Sequence, residues 1–153
     1  MRVMLPDVDA TDRLGERLAQ TRMRPAVVAL SGPLGAGKSS LARAMLRAMG
    51  VLGAVRSPTY TLVERYALPA GEALHLDLYR LGAAEELDFL GLDDAADAQL
   101  WLIEWPERGL GALPLVDLWV RLAMEGEGRV AELSASSDAG VAWLARLANP
   151  PAS

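Results

Sequence analysis

An α/β fold around a central sheet of mixed parallel and antiparallel strands is what three features of this sequence predict. The continuous apolar run Ala26-Val27-Val28-Ala29-Leu30 leads into a glycine-rich loop and then an amphipathic stretch, the pattern of a buried parallel strand, a turn and a helix. Residues 60–66 and 73–78 are strand-like segments joined by Pro69-Ala70-Gly71, which predicts an antiparallel hairpin rather than a parallel crossover. Leu118, Val120, Leu122 and Met124 fall on one face of a long strand, and Glu125-Gly126-Glu127-Gly128 turns it into a partner over residues 129–133.

The elements follow in order. Residues 2–5 suit a short edge strand, and 9–22 an amphipathic helix with Leu14 and Leu18 on one face and Asp9 as its cap. After the strand at 26–30, residues 38–49 read as a helix closed by Gly50. Arg56-Ser57-Pro58-Thr59 signals a loop; beyond it Tyr60, Leu62, Glu64 and Tyr66 alternate with Thr61, Val63 and Arg65 as in a strand. Residues 83–90 form a short helix ended by Gly91, and 93–98 a polar connection or one more helical turn. Leu100-Trp101-Leu102-Ile103 is a buried strand ending in Glu104. Pro114 precedes the long strand, and residues 138–149 place Val141, Leu144 and Leu147 at helical spacing. Pro150 and Pro151 then end the order, so residues 1–153 read as a single domain with a disordered tail from about 150.

Composition narrows the function. The chain is 52% hydrophobic with a net charge of -5, which argues against a surface built mainly to hold a nucleic-acid backbone. Without cysteine there is no disulfide, thiolate metal site or cysteine nucleophile. Pro6, Asp7 and Asp9 come too early for a signal peptide, and no apolar run reaches the ~18 residues of a membrane span, so a cytoplasmic protein is expected.

Gly32-Pro33-Leu34-Gly35-Ala36-Gly37-Lys38-Ser39 is a complete G-x-x-x-x-G-K-[ST] phosphate loop, which chance would supply in on the order of one such chain in a thousand. Lys38 is the only lysine; the other fourteen basic residues are arginine, which suggests that Arg would not do at this position. With the strand before it and the helix after it, the loop predicts a three-layer fold of the P-loop NTPase type. Its ligands are then the phosphates of a nucleotide and Mg²⁺. Gly35, Ala36 and Gly37 supply backbone N–H groups, Lys38 bridges β- and γ-phosphates, Ser39 reaches Mg²⁺, and Ser40 can bond the α-phosphate.

A loop of this kind needs an acid on a neighbouring strand to hold the metal. Glu104 is the first candidate and Asp77, in His75-Leu76-Asp77-Leu78-Tyr79-Arg80, the second; Asp77 could ligate Mg²⁺ through water or orient the attacking water. Thr59 sits where nucleotide-sensing switch loops occur, although a plain proline turn explains the spacing equally well. His75 reads as a hydrogen-bonded structural residue, and Trp105 and Tyr79 as packing. Arg80 and Arg129 are candidates for phosphate, adenine-pocket or partner contacts, against solvated charge.

Together the phosphate loop, Ser57-Pro58-Thr59-Tyr60-Thr61-Leu62-Val63, His75-Leu76-Asp77-Leu78-Tyr79-Arg80-Leu81 and Ile103-Glu104-Trp105-Pro106-Glu107 resemble, in order, the TsaE family. The resemblance implies a compact P-loop fold with a mixed sheet and a weak ATPase working with TsaD and TsaB. In that picture TsaD transfers the threonylcarbamoyl group to the tRNA adenosine, the ATP cycle supports turnover of the complex, and tRNA is met indirectly through it. The resemblance assigns Lys38 and Ser39 to nucleotide and Mg²⁺, Glu104 to the metal, Asp77 to the second acid and Thr59 to the switch, with Thr11 and Arg129 lining the nucleotide pocket. Ser39-Ser40 stands where the family often has two threonines, which keeps both hydroxyls and loses β-branched rigidity. Two rivals remain: a small-molecule kinase, and a nucleotide-dependent binding module with incidental hydrolysis. The acids Glu85, Glu86, Asp88, Asp93, Asp94 and Asp97 occupy the place of a kinase's arginine-rich lid. A GTPase would need an Asn-Lys-x-Asp motif, which a single lysine in the loop rules out.

Overall fold

The computed structural model describes residues 1–22, 25–95, 98–109 and 111–149. Ten regular elements are described: β1 Arg2–Leu5, α1 Val8–Thr21, β2 Ala26–Ser31, α2 Lys38–Ala48, β3 Val63–Leu68, β4 Gly71–Asp77, β5 Leu100–Glu104, β6 Leu118–Glu125, β7 Gly128–Ala135 and α3 Asp138–Ala148. The strands form one mixed sheet in the order β1-β7-β6-β2-β5-β4-β3. β2 pairs in parallel with β5 and β6, and β5 with β4. β3, β7 and β1 add antiparallel pairs at the flanks.

A strand with parallel neighbours on both sides is covered on both faces, which is why β2 reads as an unbroken apolar run. Val28, Leu30, Leu100, Leu102, Leu118 and Val120 pack on one face of the sheet against Leu14 and Leu18 of α1, Leu41 and Met45 of α2, and Trp143 and Leu147 of α3. The other face carries a smaller core of Leu74, Leu76, Ile103, Leu78, Leu81 and Leu87. It is roofed by a 3-10 helix, Ala84–Leu90, and its flanking turns, so the third layer is thin.

Several boundaries differ from the sequence reading for local reasons. α1 is capped by Asp7, whose Oδ1 accepts from Ala10 N at 2.8 Å; Asp9 lies in the first turn, where its charge favours the positive helix end. β3 begins at Val63 rather than 60, because Leu62 has φ +67 and residues 58–62 form a turn closed by Leu62 N donating to Pro58 O. The short helix at 83–90 winds as 3-10: seven residues with no side-chain cap at Ala83 are too few to propagate an α-helix. At 93–98, Asp93 and Asp94 form a turn, while Ala96 and Asp97 lie outside the described residues. β6 starts at Leu118, and Met124 at its far end is 54% exposed, unlike Leu118, Val120 and Leu122.

α3 is capped by Ser137, and it is Gly140, Trp143 and Leu147 that it buries; Val141 points outward. The expected tail beyond 149 lies outside the described residues. Among those described, no helix is long and apolar enough to cross a membrane.

Candidate functional site

The parallel strands bring their C-terminal ends side by side. Glu104, the last residue of β5, is in register with Leu30 of β2 and with Asp77 of β4. Alternation sends Leu74 and Leu76 into the smaller core, so His75 and Asp77 point to the helix side of the sheet together with Glu104. The loop from β2 into α2 crosses above them. Gly32 passes so close to the Leu122 carbonyl of β6 that no side chain would fit, and Gly37, at φ +102, opens α2 with no side-chain cap. The first N–H groups of α2 are thus left to face an anion.

Lys38, 5% exposed, folds back across the loop: Nζ donates to Gly32 O at 2.6 Å and Pro33 O at 3.0 Å and sits 4.6 Å from the centre of the Trp105 ring. Burial lowers its pKa, opposed by the charges of Glu104, Asp77 and Glu107. Ser39 Oγ donates to Glu104 Oε1 and Oε2 at 3.1 and 3.2 Å. His75 Nε2 lies 2.6 Å from Glu104 Oε2, and both side chains are buried. Asp77 Oδ1 accepts from Tyr79 N at 3.0 Å, and Thr59 Oγ1 approaches Asp77 Oδ2 at 3.5 Å while sharing a 2.7 Å hydrogen bond with Ser57 Oγ. Burial raises the Asp77 pKa above the ordinary carboxylate value; the Tyr79 N–H opposes this and the charge of Glu104 adds to it.

Two clefts meet around the start of α2. One is lined by the loop with Thr59, Asp77, Glu104 and Trp105. The other is lined by Thr11, Arg129, Asp7 and Glu127, and the two share Gly35, Gly37 and Ser40. Arg129 Nη2 donates to Gly35 O at 3.1 Å, and Thr11 is 5% exposed at the cleft floor. Ala36 differs from its neighbours: its side chain is buried in the main core and its N–H bonds Pro33 O. Arg80 stacks on Tyr60, 4.6 Å from the ring centre, outside both clefts.

Apart from Arg80, the candidate residues therefore converge on one loop and two clefts. Sequence reasoning set aside two side chains that touch the machinery. His75 bonds Glu104, and its position two residues before Asp77 in a strand was a usable signal. Trp105 lies over Lys38 because its backbone takes φ +56 directly after β5, which no sequence pattern announces. Among the described residues no cluster of three or more His, Cys, Asp or Glu could hold a metal by itself.

The profile of the family described as "Threonylcarbamoyl adenosine biosynthesis protein TsaE" matches residues 5–131. The chain is 38% identical over 151 residues to the tRNA threonylcarbamoyladenosine biosynthesis protein TsaE of Haemophilus influenzae, covering 95% of this chain and 96% of that one. It is 39% identical over 113 residues to the protein of the same name from Synechocystis, 71% of each chain. The crystal structure of YdiB from Bacillus subtilis superposes with a TM-score of 0.79 at 22% identity, over 97% of this chain and 93% of that one.

Proposed function

The chain belongs to the TsaE family, and on that premise we propose that it is a weak Mg²⁺-dependent ATPase of the cytoplasm that supports threonylcarbamoyladenosine formation in tRNA through TsaD and TsaB. The observation that carries this reading is the Ser39–Glu104 pair, 3.1 Å apart beneath the uncapped start of α2 with Lys38 alongside. A hydroxyl and one or two carboxylates suit Mg²⁺, which takes few protein ligands and completes its shell with phosphate oxygens and water. Ser39 and Glu104 would hold it, with Asp77 as a further or water-mediated ligand. When bound, the cation neutralises charge developing on the phosphate oxygens. Lys38 and the loop N–H groups bind the phosphates, and the second cleft, with Thr11 and Arg129, takes the nucleoside end. Asp77, whose carboxyl favours its proton more than usual, can orient a water and receive its proton.

An acidic chain meets tRNA through its partners rather than directly. The kinase alternative loses ground to Arg65, which bonds Glu72 and Asp94 and so ties the acidic segment to the β3–β4 hairpin, where a lid would have to swing free. The test is Glu104→Gln. Nucleotide binding should persist while phosphate release falls ~10²-fold or more. Full hydrolysis in the variant, or phosphorylation of an acceptor without free phosphate, would overturn the ATPase reading. Unchanged tRNA modification by a hydrolysis-dead variant would make this a binding module instead.

A further inference from the structure

We propose that His75 is a positioning residue: its Nε2–H fixes the orientation of the Glu104 carboxylate, and with it the place at which the Ser39–Glu104 pair meets a divalent cation. The proposal rests on the Mg²⁺ reading of that pair.

Register allows the contact once Asp77 is placed. Asp77 faces Glu104 and His75 faces Leu102, so His75 is the diagonal neighbour of Glu104 on the same face of a parallel pair, within reach of a long side chain. The contact is short, 2.6 Å, and lies where water does not compete, with side-chain exposures of 2% and 3%. The second observation is the far end of the ring: Nδ1 is buried and has no hydrogen-bond partner among the described residues. A histidine kept for the core would be expected to satisfy both nitrogens. Among the described residues this ring leaves one unpaired and directs its other nitrogen at Glu104. A proton on Nε2 leaves a lone pair at Nδ1 rather than a stranded N–H, the less costly of the two arrangements.

The terminal torsion of a glutamate is broad, so the carboxylate plane must be set by what bonds it. Ser39 approaches both oxygens almost equally, at 3.1 and 3.2 Å, and does not choose between them. His75 does, since it holds Oε2 alone. Without it the carboxylate can turn about its axis and Oε2 loses its buried donor.

His75→Leu removes the donor at similar volume, and His75→Gln can offer an amide N–H near the same point. Mg²⁺ titrated by calorimetry into the ADP-loaded protein is the readout, beside ADP affinity in EDTA and thermal melting. Expected is a loss in Mg²⁺ affinity of about tenfold to a hundredfold for His75→Leu. ADP affinity in EDTA should stay unchanged, and His75→Gln should recover most of the loss. A His75→Leu protein that binds Mg²⁺ like the wild type overturns the proposal alone. So does a folded His75→Gln that is as weak as His75→Leu. A wild type that binds no Mg²⁺ overturns the metal reading and this proposal with it. Should His75→Leu fail to fold, ¹⁵N spectra of the wild-type ring decide: a proton on Nε2 supports the assignment, and a proton on Nδ1 with Nε2 bare overturns it.

Discussion

At the scale of single residues, Lys38 and Asp77 show how burial sets what each group can do. Lys38 Nζ already occupies a slot between two loop carbonyls and the face of Trp105. A planar guanidinium is larger and cannot lie between the same oxygens. Lys38→Arg is therefore expected to fold and to lose ATP turnover, measured as phosphate release; full turnover would show that the slot does not discriminate. Asp77 carries the opposite lesson. Its folded-state pKa is raised, first by burial, so the folded chain holds the proton more tightly than the unfolded chain does. The stabilisation this gives is complete below the unfolded carboxylate value and is lost as pH rises through the folded one. Above that folded-state value the anion is a cost to the fold. Asp77→Asn should thus melt at or above the wild-type temperature at pH 7, lose that advantage towards pH 4 and below, and hydrolyse ATP ~10²-fold more slowly. A lower melting temperature at pH 7 would mean that the Tyr79 N–H and Thr59 contacts outweigh desolvation. Motif spacing was enough to pick out Lys38, Ser39 and Glu104, because a glycine loop between a strand and a helix, beside a strand that ends in an acid, brings these positions into one cleft. His75 reads from the sequence only as a hydrogen-bonded residue: its place two before Asp77 puts it on the same strand face as that acid, but its partner is not fixed until the neighbouring strand across the ladder is known.

At the scale of elements, most strands and helices were readable and most errors were at their ends. Apolar periodicity reports which face is buried, but an end is decided by a cap or a backbone angle. Leu62 in the left-handed region cut three residues from the expected strand, and Asp7 rather than Asp9 caps α1. The seam between α1 and α2 was likewise hidden in the sequence. Gly15 lies buried in the middle of α1, where glycine costs about 1 kcal/mol of helix propensity relative to alanine. A Cβ there would stand 2.5 Å from Ala44 Cβ, 3.1 Å from Met45 N and 3.2 Å from Leu41 O. Two of those neighbours are backbone and cannot rotate away. Overpacking of this kind costs about 1–3 kcal/mol, more than propensity returns. Gly15→Ala is expected to lower the melting temperature by several degrees, at roughly 2–4 °C per kcal/mol for a chain of this size. Pairing it with Ala44→Gly should restore part of the loss. A stabilised single variant would show that α1 can shift without disturbing the phosphate loop.

At the scale of the whole molecule, the mixed sheet was legible because each hairpin and the parallel core has its own pattern, whereas the thinness of the third layer was not. The consequence is that one side of the candidate site is walled by α2 while the other is bounded by segments with little around them. Residues 57–62 carry Thr59, present Tyr60 at 81% exposure, and are tied back to β4 by Asp77 N donating to Leu62 O. The end of β4 carries Asp77 and continues into Tyr79 and Arg80, which stacks on Tyr60. A γ-phosphate beside Asp77 would therefore touch both segments at once, through Thr59 on one and the carboxylate on the other. If hydrolysis removes that contact, both should loosen together and the surface formed by Tyr60, Tyr79 and Arg80 should lose its shape. Amide exchange is expected to slow at 57–62 and 77–80 with a non-hydrolysable ATP analogue and Mg²⁺, and to remain fast with ADP. The TsaD–TsaB complex should bind the ATP form more tightly by the same coupling, because a ligand shifts a conformational equilibrium only by its differential affinity for the two states. Equal affinity for the two nucleotide forms, together with unchanged exchange, would leave Lys38 and its loop as a static ATP holder and remove the switch.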